Sequence, residues 1–265
     1  MSYKPFTMHK LFIASILLIA SLTLHSQPPI TPPEVDPFIP TGYEALDYVA
    51  GDLNGDKKKD GLLILKTPGE DSVMEEELPR PLIVLIRQAD GKLKQVLRND
   101  KAVMCRHCGG VFGDPYEGIQ IFEKGFSLSF YGGSSWRWGY TYEFVYRPLK
   151  KNWFLVKESQ SNFHSGDPES TMKDAVLEET ELGETPLDKF NCSPVYEDSK
   201  WKVKAVKTFF YDSPKLGSKP RKGYLMKGNV ASGIRSFKNF IEVSFENSKG
   251  IFTSGYILRK DLQRL

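Results

Sequence analysis

The chain is dominated by short segments in which apolar and polar residues alternate, the pattern of β-strands. The clearest segment runs from Trp136 to Arg147, where every even-numbered residue up to Tyr146 is aromatic. Successive side chains of a strand point to opposite faces of its sheet, so this segment predicts a strand with one wholly aromatic face. That face is either part of a core or a platform on which a ligand stacks.

Seven other segments show the same short, apolar or alternating pattern: 43–50, 62–66, 82–87, 93–97, 118–122, 126–131 and 153–157. Glycine, proline, aspartate and asparagine separate them, which is typical of an all-β protein. The Asp90-Gly91 pair predicts a tight hairpin between the third and fourth of these strands. The sequence therefore predicts an all-β fold that begins with an antiparallel β domain over residues 43–163.

The aromatic strand is longer than the core of a small sheet. Eleven residues at about 3.3 Å each span roughly 36 Å, so both ends of the aromatic face are not expected to be buried. The central rings are expected in the core, where aromatic pairs stabilise a sheet: Tyr140, Tyr142 and Phe144. The residues at the other end follow Gly132-Gly133, which is expected to leave rings accessible. They are the candidate ligand-binding residues of this domain: Trp136, Arg137 and Trp138.

The N-terminus has the pattern of a secretory signal peptide. Charged residues precede an apolar run that ends near a small residue: Lys4, His9, Lys10, Leu11–Leu24 and Ser26. The apolar run has about 14 residues, fewer than the roughly 20 that a spanning helix needs. We therefore expect residues 1–26 to be removed and the mature protein to be secreted or periplasmic. Residues 27–42 contain six prolines and predict an extended leader, and no later segment is apolar enough to cross a bilayer.

Charge divides the chain into two unlike parts. Residues 27–199 hold 19 Lys and Arg against 29 Asp and Glu, a net charge of −10, whereas residues 200–265 hold 15 against 4, a net charge of +11. One interpretation is that the two parts attract each other or differ only in solvation. The other is that the basic part binds an anionic surface outside the cytoplasm, such as a cell-wall polymer or lipid headgroups. Nucleic acid is not expected as a partner, because a secreted protein rarely meets it.

The loop over residues 51–60 is the best candidate metal site. Four oxygen-bearing side chains can converge there on one hard cation such as calcium: Asp52, Asn54, Asp56 and Asp60. The loop and the apolar strand after it resemble the Asp-x-Asn-x-Asp-Gly-x-x-Asp loop of FG-GAP and VCBS-like extracellular repeats. Lys57 departs from that pattern, because it replaces the glycine that permits the sharp turn. The alternatives are a calcium site and a turn that is capped only by its own side chains.

Cys105 and Cys108 are close enough in sequence to form a disulfide, a redox pair or half of a zinc site. Secretion favours the disulfide. Cys192 is then left outside the pair.

The sequence contains no positive signature of catalysis. After removal of the signal peptide, His107 and His164 are the two residues that could supply an imidazole base, and Gly132-Gly133-Ser134 lacks the spacing of a nucleophile elbow. We therefore expect a protein that is not an enzyme. The alternative is a secreted hydrolase or thiol redox protein with its site near residues 105–138.

The last 66 residues form short strands separated by turns. The most specific segments are Phe210-Tyr211-Asp212-Ser213-Pro214, Tyr224-Leu225-Met226-Lys227-Gly228, and Gly255-Tyr256-Ile257 with Asp261-Leu262. Residues 200–265 thereby resemble a bacterial SH3-like domain, a small β-barrel. The resemblance implies binding to cell-wall peptide or to another protein. The candidate groove has lysines at its rim and consists of these aromatic residues: Phe209, Phe210, Tyr211, Tyr224 and Tyr256. Several of these rings could instead fill the core of so small a barrel.

The middle of the chain, residues 43–163, is also similar to an uncharacterised group of secreted bacterial proteins. The similarity rests on the acidic loop, the Cys-x-x-Cys-Gly-Gly segment, Gly113-Asp114-Pro115 and Tyr131-Gly132-Gly133-Ser134. It implies a domain boundary and a location, but no activity. Residues 164–199 are then a connecting segment in which 175–181 and 187–190 could form a further hairpin. The sequence as a whole predicts a two-domain protein that binds a cell-wall polymer or an envelope protein, with no cofactor unless calcium occupies the acidic loop.

Overall fold

A computed structural model describes residues 31–72, 78–192 and 199–265 of the chain. Within these residues sixteen strands form three antiparallel sheets, and the two α-helices have one turn each. The all-β class that the sequence predicts is confirmed. The predicted signal peptide, residues 1–26, lies outside the described residues, and no helix in the described part is long and apolar enough to cross a membrane.

The first sheet has four strands in the order β1-β2-β3-β4: β1 (Glu44–Gly51), β2 (Asp60–Lys66), β3 (Arg80–Arg87) and β4 (Leu93–Val103). The predicted hairpin at Asp90-Gly91 joins β3 to β4, and Gly91 has a φ of 81°. Both faces of β2 and β3 are apolar and buried. This sheet is therefore packed on both sides.

Residues of the proline-rich leader cover the outer face of the first sheet. Val35 is fully buried in one cluster with Leu63 and Ile83, and residues 36–38 form a 3-10 turn. The prediction of a merely extended leader over residues 27–42 is therefore wrong for its second half. The reason is that strands with two apolar faces need a cover on each, and the nearest apolar chain is the leader.

The second sheet has five strands in chain order: β5 (Tyr116–Phe122), β6 (Gly125–Gly133), β7 (Trp136–Arg147), β8 (Asn152–His164) and β9 (Lys173–Glu178). The helices α1 (Pro168–Thr171) and α2 (Glu179–Leu182) flank β9, and a 3-10 turn spans Leu187–Lys189. The segment 164–199 does not form the hairpin expected from its sequence. Because β8 extends to His164, it leaves an open edge, and β9 pairs with that edge instead. The N-terminal unit therefore continues beyond residue 163.

The C-terminal sheet has seven strands: β10 (Lys200–Val203), β11 (Lys207–Tyr211), β12 (Pro220–Met226), β13 (Val230–Ser236), β14 (Phe240–Glu246), β15 (Phe252–Leu258) and β16 (Leu262–Arg264). Their order is β12-β11-β15-β14-β13-β10-β16, and a 3-10 turn at Arg259–Asp261 separates the last two strands. The sheet encloses its own core, which contains Phe210, Ile241 and Ile257. The seven strands lie within residues 200–264.

The C-terminal sheet is docked on the rest of the protein. Phe237 and Phe240 are buried in the same core cluster as Phe144. At the same contact the buried carboxylate of Glu158 accepts two hydrogen bonds from the Arg235 guanidinium. The oppositely charged parts of the chain therefore do attract each other at one buried point, as one interpretation of the charge pattern anticipated.

Candidate functional site

The aromatic side chains of strand β7 become more buried from Trp136 toward Phe144. Phe144 and Tyr142 are in the core, as the sequence predicts, while Tyr140 is partly buried and stacks on Tyr142 with ring centroids 6.0 Å apart. Trp136, in contrast, is 52% exposed. Most of the aromatic face is therefore a core, and only its first ring is open to solvent.

Trp138 packs inward, against the expectation that it forms a platform with Trp136. It is partly buried against the main core. A Cβ atom at Gly132 would lie 2.5 Å from the Trp138 ring and 2.9 Å from the Cα of Gly109. The glycine therefore serves close packing of the indole ring and the neighbouring loop, rather than access for a ligand.

Cys105 and Cys108 are joined by a disulfide, as the sequence predicts, and their Cα atoms are 5.1 Å apart. The loop that follows is hydrogen-bonded to the end of β6, because the Gly133 amide donates to the Gly109 carbonyl over 2.8 Å. Gly109-Gly110 and Gly132-Gly133 therefore contact each other, and their two backbones are too close together to leave room for side chains. Cys192, outside the disulfide, is buried in the main core.

The three candidate ligand residues of β7 do not share one surface. Arg137 points to the opposite face of the sheet, where its guanidinium carbon lies 3.8 Å from the centre of the Phe112 ring. Trp136 makes an edge contact with the ring of His164, with centroids 5.3 Å apart. The grouping of Trp136, Arg137 and Trp138 into one site is therefore wrong, because alternation places Arg137 away from the two indoles and Trp138 is packed inward.

These placements predict different effects for two tryptophan substitutions. We expect Trp136→Ala to lower the free energy of unfolding by less than about 1 kcal/mol, because the ring is already half exposed. Trp138→Ala should cost about 2–4 kcal/mol, since it leaves a cavity beside the core. Urea denaturation of both variants would measure the difference, and equal losses would contradict the assigned burial.

The histidines available to a hydrolase site near residues 105–138 contact backbone groups. The His107 ring lies 3.4 Å from the Glu70 carbonyl. The Nδ1 of His164 accepts a hydrogen bond from the Gly166 amide. No hydrogen bond joins a histidine ring to a serine or cysteine side chain in residues 31–72, 78–192 and 199–265. The Cys105–Cys108 disulfide is equally the oxidised form of a thiol redox pair, so the redox alternative stays a prediction.

The acidic loop brings its three aspartates together. One carboxylate oxygen each from Asp52, Asp56 and Asp60 lies within 4.8 Å of the others. Asp60 is fully buried and accepts hydrogen bonds from the backbone amides of Leu53 and Arg87. Burial raises its pKa above the ordinary value, because the charged form loses water. Asp60 is therefore the buried end of the cluster, and Asp52 and Asp56 are its more exposed end.

Backbone amides of the same loop also cap the aspartates. Asp52 accepts from the amides of Gly55 and Lys57 over 2.6 and 2.9 Å, and the side-chain oxygen of Asn54 accepts from the Asp56 amide over 2.9 Å. Burial alone would raise the pKa of Asp52. The hydrogen bonds from these amides together lower it by a larger amount, so the pKa lies below its ordinary value. The hydrogen bonds support the reading as a self-capped turn. The remaining carboxylate lone pairs still fit a hard cation such as calcium.

Lys57 adopts the left-handed backbone conformation that the resembled loops reserve for glycine, with a φ of 64°. We expect Lys57→Gly to raise the free energy of unfolding by up to about 1 kcal/mol, because glycine pays no steric penalty there. The matched control is Lys58→Gly, which removes the same charge from the neighbouring position. Chemical denaturation should show stabilisation for the first variant alone, and a gain from both would assign the effect to charge.

The predicted groove of the C-terminal domain is largely occupied by its own packing. Phe210 is 2% exposed and lies in the core of the sheet, so its assignment as a ligand-binding residue is wrong. Tyr211 and Tyr256 are partly buried where this domain meets the main core, with rings 5.3 Å from Phe240 and 5.4 Å from Phe237. In an isolated barrel these two tyrosine rings would be exposed. Here the contact with the N-terminal unit covers them.

Tyr224 is the predicted groove residue that is open to solvent, at 50% exposure. It lies on β12, the strand at one end of the seven-stranded sheet, opposite Phe209 of β11. The Lys207 ammonium sits 3.8 Å above the Tyr224 ring and 4.9 Å from the Phe209 ring. We call this surface the basic edge and define it by five residues: Lys207, Phe209, Lys222, Tyr224 and Met226.

The sequence identified Phe209 and Tyr224 as groove residues, but it did not single out Lys207, Lys222 or Met226. Alternation groups Lys207 with Phe209 on one face of β11, and it groups Tyr224 with Met226 on one face of β12. The pairing of Lys207 with Met226 depends on the register between the two strands. A single strand pattern does not contain that register.

Comparisons with protein-family models, with curated proteins and with solved structures found no match to this chain. The resemblances to FG-GAP loops and to bacterial SH3-like domains therefore stay predictions.

Proposed function

We propose that the protein is a secreted or periplasmic binding protein, without catalytic activity, whose basic edge holds an anionic polymer of the cell wall. The observation that carries the proposal is the Lys207 ammonium above the exposed Tyr224 ring. A ring with a neighbouring cation offers an apolar surface for a sugar ring and a charge for its carboxylate or phosphate. These are the two chemical features that an anionic polysaccharide presents.

The charge of the C-terminal domain supports this role. It has 15 Lys and Arg against 4 Asp and Glu, a net charge of +11. Its ion pairs include Arg221 with Asp212 and Arg235 with Glu158. Most of its lysines are exposed and face solvent. Such a surface attracts anionic partners over a distance of about 10 Å at moderate ionic strength. Binding should therefore weaken as salt is added.

The position of the basic edge also suits an extended ligand. Because β12 is at the end of the sheet, its outer side is not paired with another strand of the described chain. Lysines on an edge strand also oppose β-sheet pairing between two copies of the protein. On this strand Tyr224 is 50% exposed and Met226 is 45% exposed. A polymer can therefore run along the edge without any rearrangement of the fold.

Point variants of the full chain test the proposal best. Truncation after Ser199 would remove Arg235 and leave the buried Glu158 carboxylate unpaired, so a truncated protein would lose stability as well as the basic edge. Tyr224→Ala and Lys207→Glu change exposed side chains. The matched control is Lys249→Glu, the same charge reversal in the exposed turn before β15.

In co-sedimentation with purified cell wall, we expect Tyr224→Ala and Lys207→Glu to weaken binding by about fivefold to tenfold, as for a central contact residue. Lys249→Glu should bind nearly as the parent does. Wall stripped of its anionic polymers should bind less of the parent protein. Parent-like binding by both basic-edge variants, or an equal loss in the control, would overturn the assignment.

A further inference from the structure

One end of the second sheet carries large apolar side chains that are open to solvent. Because neighbouring strands are antiparallel, this end is formed by the loop before β5, the turn between β6 and β7, and the connection from β8 to β9. Val111 is 82% exposed there, Phe112 50%, Trp136 52% and Met172 46%. We call these four residues the apolar tip. Single exposed apolar residues are common, whereas several at one place mark an interaction surface.

Two residues of the apolar tip occupy the centre of a tight turn. The Gly113 amide donates to the Gly110 carbonyl over 2.9 Å, so Val111 and Phe112 are the two central residues of that turn. Turns of this kind are usually built from glycine, proline, asparagine, aspartate and serine. The turn itself therefore does not require two large apolar side chains at its most exposed positions.

The turn is held in place on both sides. The disulfide precedes it, and the Gly109 amide donates to the Gly113 carbonyl over 2.9 Å. After the turn, the Asp114 carboxylate accepts a hydrogen bond from the buried Arg80 guanidinium over 2.7 Å. The apolar side chains are thus presented in a fixed position, which lowers the entropy lost when a partner binds them.

Arg137 places a positive charge without a counter-charge directly beside the apolar tip. Its guanidinium carbon lies 3.8 Å from the centre of the Phe112 ring. Within the described chain Arg137 forms no ion pair, and its buried Nη1 atom has no hydrogen-bond partner. A polar group that loses water without gaining a partner costs free energy. A partner that offers apolar groups together with an anion would therefore suit both Phe112 and Arg137.

The shape of the apolar tip selects the kind of partner. Its residues project from three separate loops, and Phe112 and Trp136 lie on opposite faces of the sheet, so the surface is convex. A convex surface fits a planar and deformable partner better than it fits a cleft. A phospholipid bilayer is such a partner, and its interface offers acyl chains beside anionic phosphates. Tryptophan is enriched at that interface, and an arginine near it is attracted to anionic headgroups.

We infer that the apolar tip inserts into the interface of a phospholipid bilayer, with Arg137 paired to a lipid phosphate. Insertion covers the exposed apolar side chains and supplies the missing counter-charge. The contact is peripheral, because it uses turns and no spanning segment. This inference does not rest on the proposed function of the basic edge.

Flotation of the full mature chain with lipid vesicles tests the inference. The vesicles contain phosphatidylcholine and phosphatidylglycerol in equal amounts, and high salt screens the attraction of the basic C-terminal domain. We expect Val111→Asp and Phe112→Asp each to weaken binding by at least about tenfold, because a charge replaces an apolar side chain that enters the bilayer. Both side chains are exposed, so the fold should be retained. The matched control is Leu149→Asp, since Leu149 is 100% exposed at the opposite end of the same sheet and should not matter.

Two further measurements locate the contact at the apolar tip. Arg137→Gln should weaken binding at low salt by about fivefold, the effect of one cation at an anionic surface. Tryptophan emission should shift to shorter wavelength when vesicles are added, and Trp136→Phe should remove the shift, because the other three tryptophans already pack against core residues.

Three results would overturn the inference: no vesicle binding by the parent, parent-like binding by Phe112→Asp, or an equal loss in Leu149→Asp. Sedimentation without lipid tests a second copy as the partner. If the parent forms a dimer that Phe112→Asp dissociates, the apolar tip is an interface between copies and the lipid assignment is wrong. Each of these results leaves wall binding at the basic edge untouched, because Phe112→Asp changes no residue of that edge.

Discussion

Replacing Arg80 with methionine is expected to lower the free energy of unfolding by about 3–5 kcal/mol. The Arg80 side chain is completely buried and binds the carboxylates of both Glu70 and Asp114. Burial alone would lower the pKa of Arg80. Its hydrogen bonds to the two carboxylates raise the pKa by a larger amount, so the guanidinium stays charged. Methionine would fill the space and leave a fully buried carboxylate at Glu70 without its partner.

This arginine also connects parts of the N-terminal unit that are distant in sequence. Arg80 begins β3, Glu70 lies in the 3-10 turn after β2, and Asp114 follows the disulfide loop. Its Nη1 further donates to the Met104 carbonyl over 3.4 Å. Loss of the guanidinium should therefore loosen the disulfide loop as well as lower global stability.

Urea denaturation measures the effect, and Arg98→Met is the matched control. Arg98 pairs with Asp100 on the surface, where such pairs contribute up to about 1 kcal/mol. Adding Glu70→Gln to Arg80→Met should recover part of the loss, because it removes the unpaired charge. A similar small loss in Arg80→Met and Arg98→Met would contradict the role of the buried network.

Replacing Arg235 with methionine is expected to cost about 3–5 kcal/mol and to weaken the docking of the C-terminal sheet. Its partner Glu158 is completely buried on β8, whereas Arg235 belongs to β13 of the other unit. Without the guanidinium, the buried Glu158 carboxylate loses its cationic partner. That loss favours separation of the two sheets.

Hydrogen exchange read out by mass spectrometry locates this effect. We expect Arg235→Met to speed exchange in β8 and β13 more than in β2 and β3. Arg221→Met is the control, since its partner Asp212 is 77% exposed and the pair should contribute little. The double variant Arg235→Met with Glu158→Met should recover most of the stability, because no charge is then left buried. Failure of the double variant to recover would show that the contact depends on shape rather than on charge.

The sequence was sufficient for features that depend on neighbouring residues. Alternation identified β7 and the burial of Tyr142 and Phe144, and Asp90-Gly91 identified a hairpin. Cys105 and Cys108 are three positions apart, so their disulfide also needed little information from the rest of the fold. The strand, the hairpin and the disulfide each depend on residues close together in sequence, and the burial of the central rings follows from the length of the strand.

The candidate sites were predicted less well, because exposure depends on what packs against a residue. Phe210, Tyr211 and Tyr256 were equally aromatic candidates with Tyr224. Two of them are covered by the contact with the N-terminal unit, and Phe210 fills the small core of its own sheet. No local pattern distinguishes these rings from Tyr224.

The sequence by itself determined the all-β class, the acidic turn, the disulfide and the division of charge near residue 200. Only the tertiary structure decided that the leader covers the first sheet, that residues 173–178 complete the second, and that Arg80 and Glu158 are buried. The physical reason is the range of the interactions. Backbone alternation and turn geometry act between neighbours, whereas burial is set by the surfaces that distant segments present to each other once the sheets have formed.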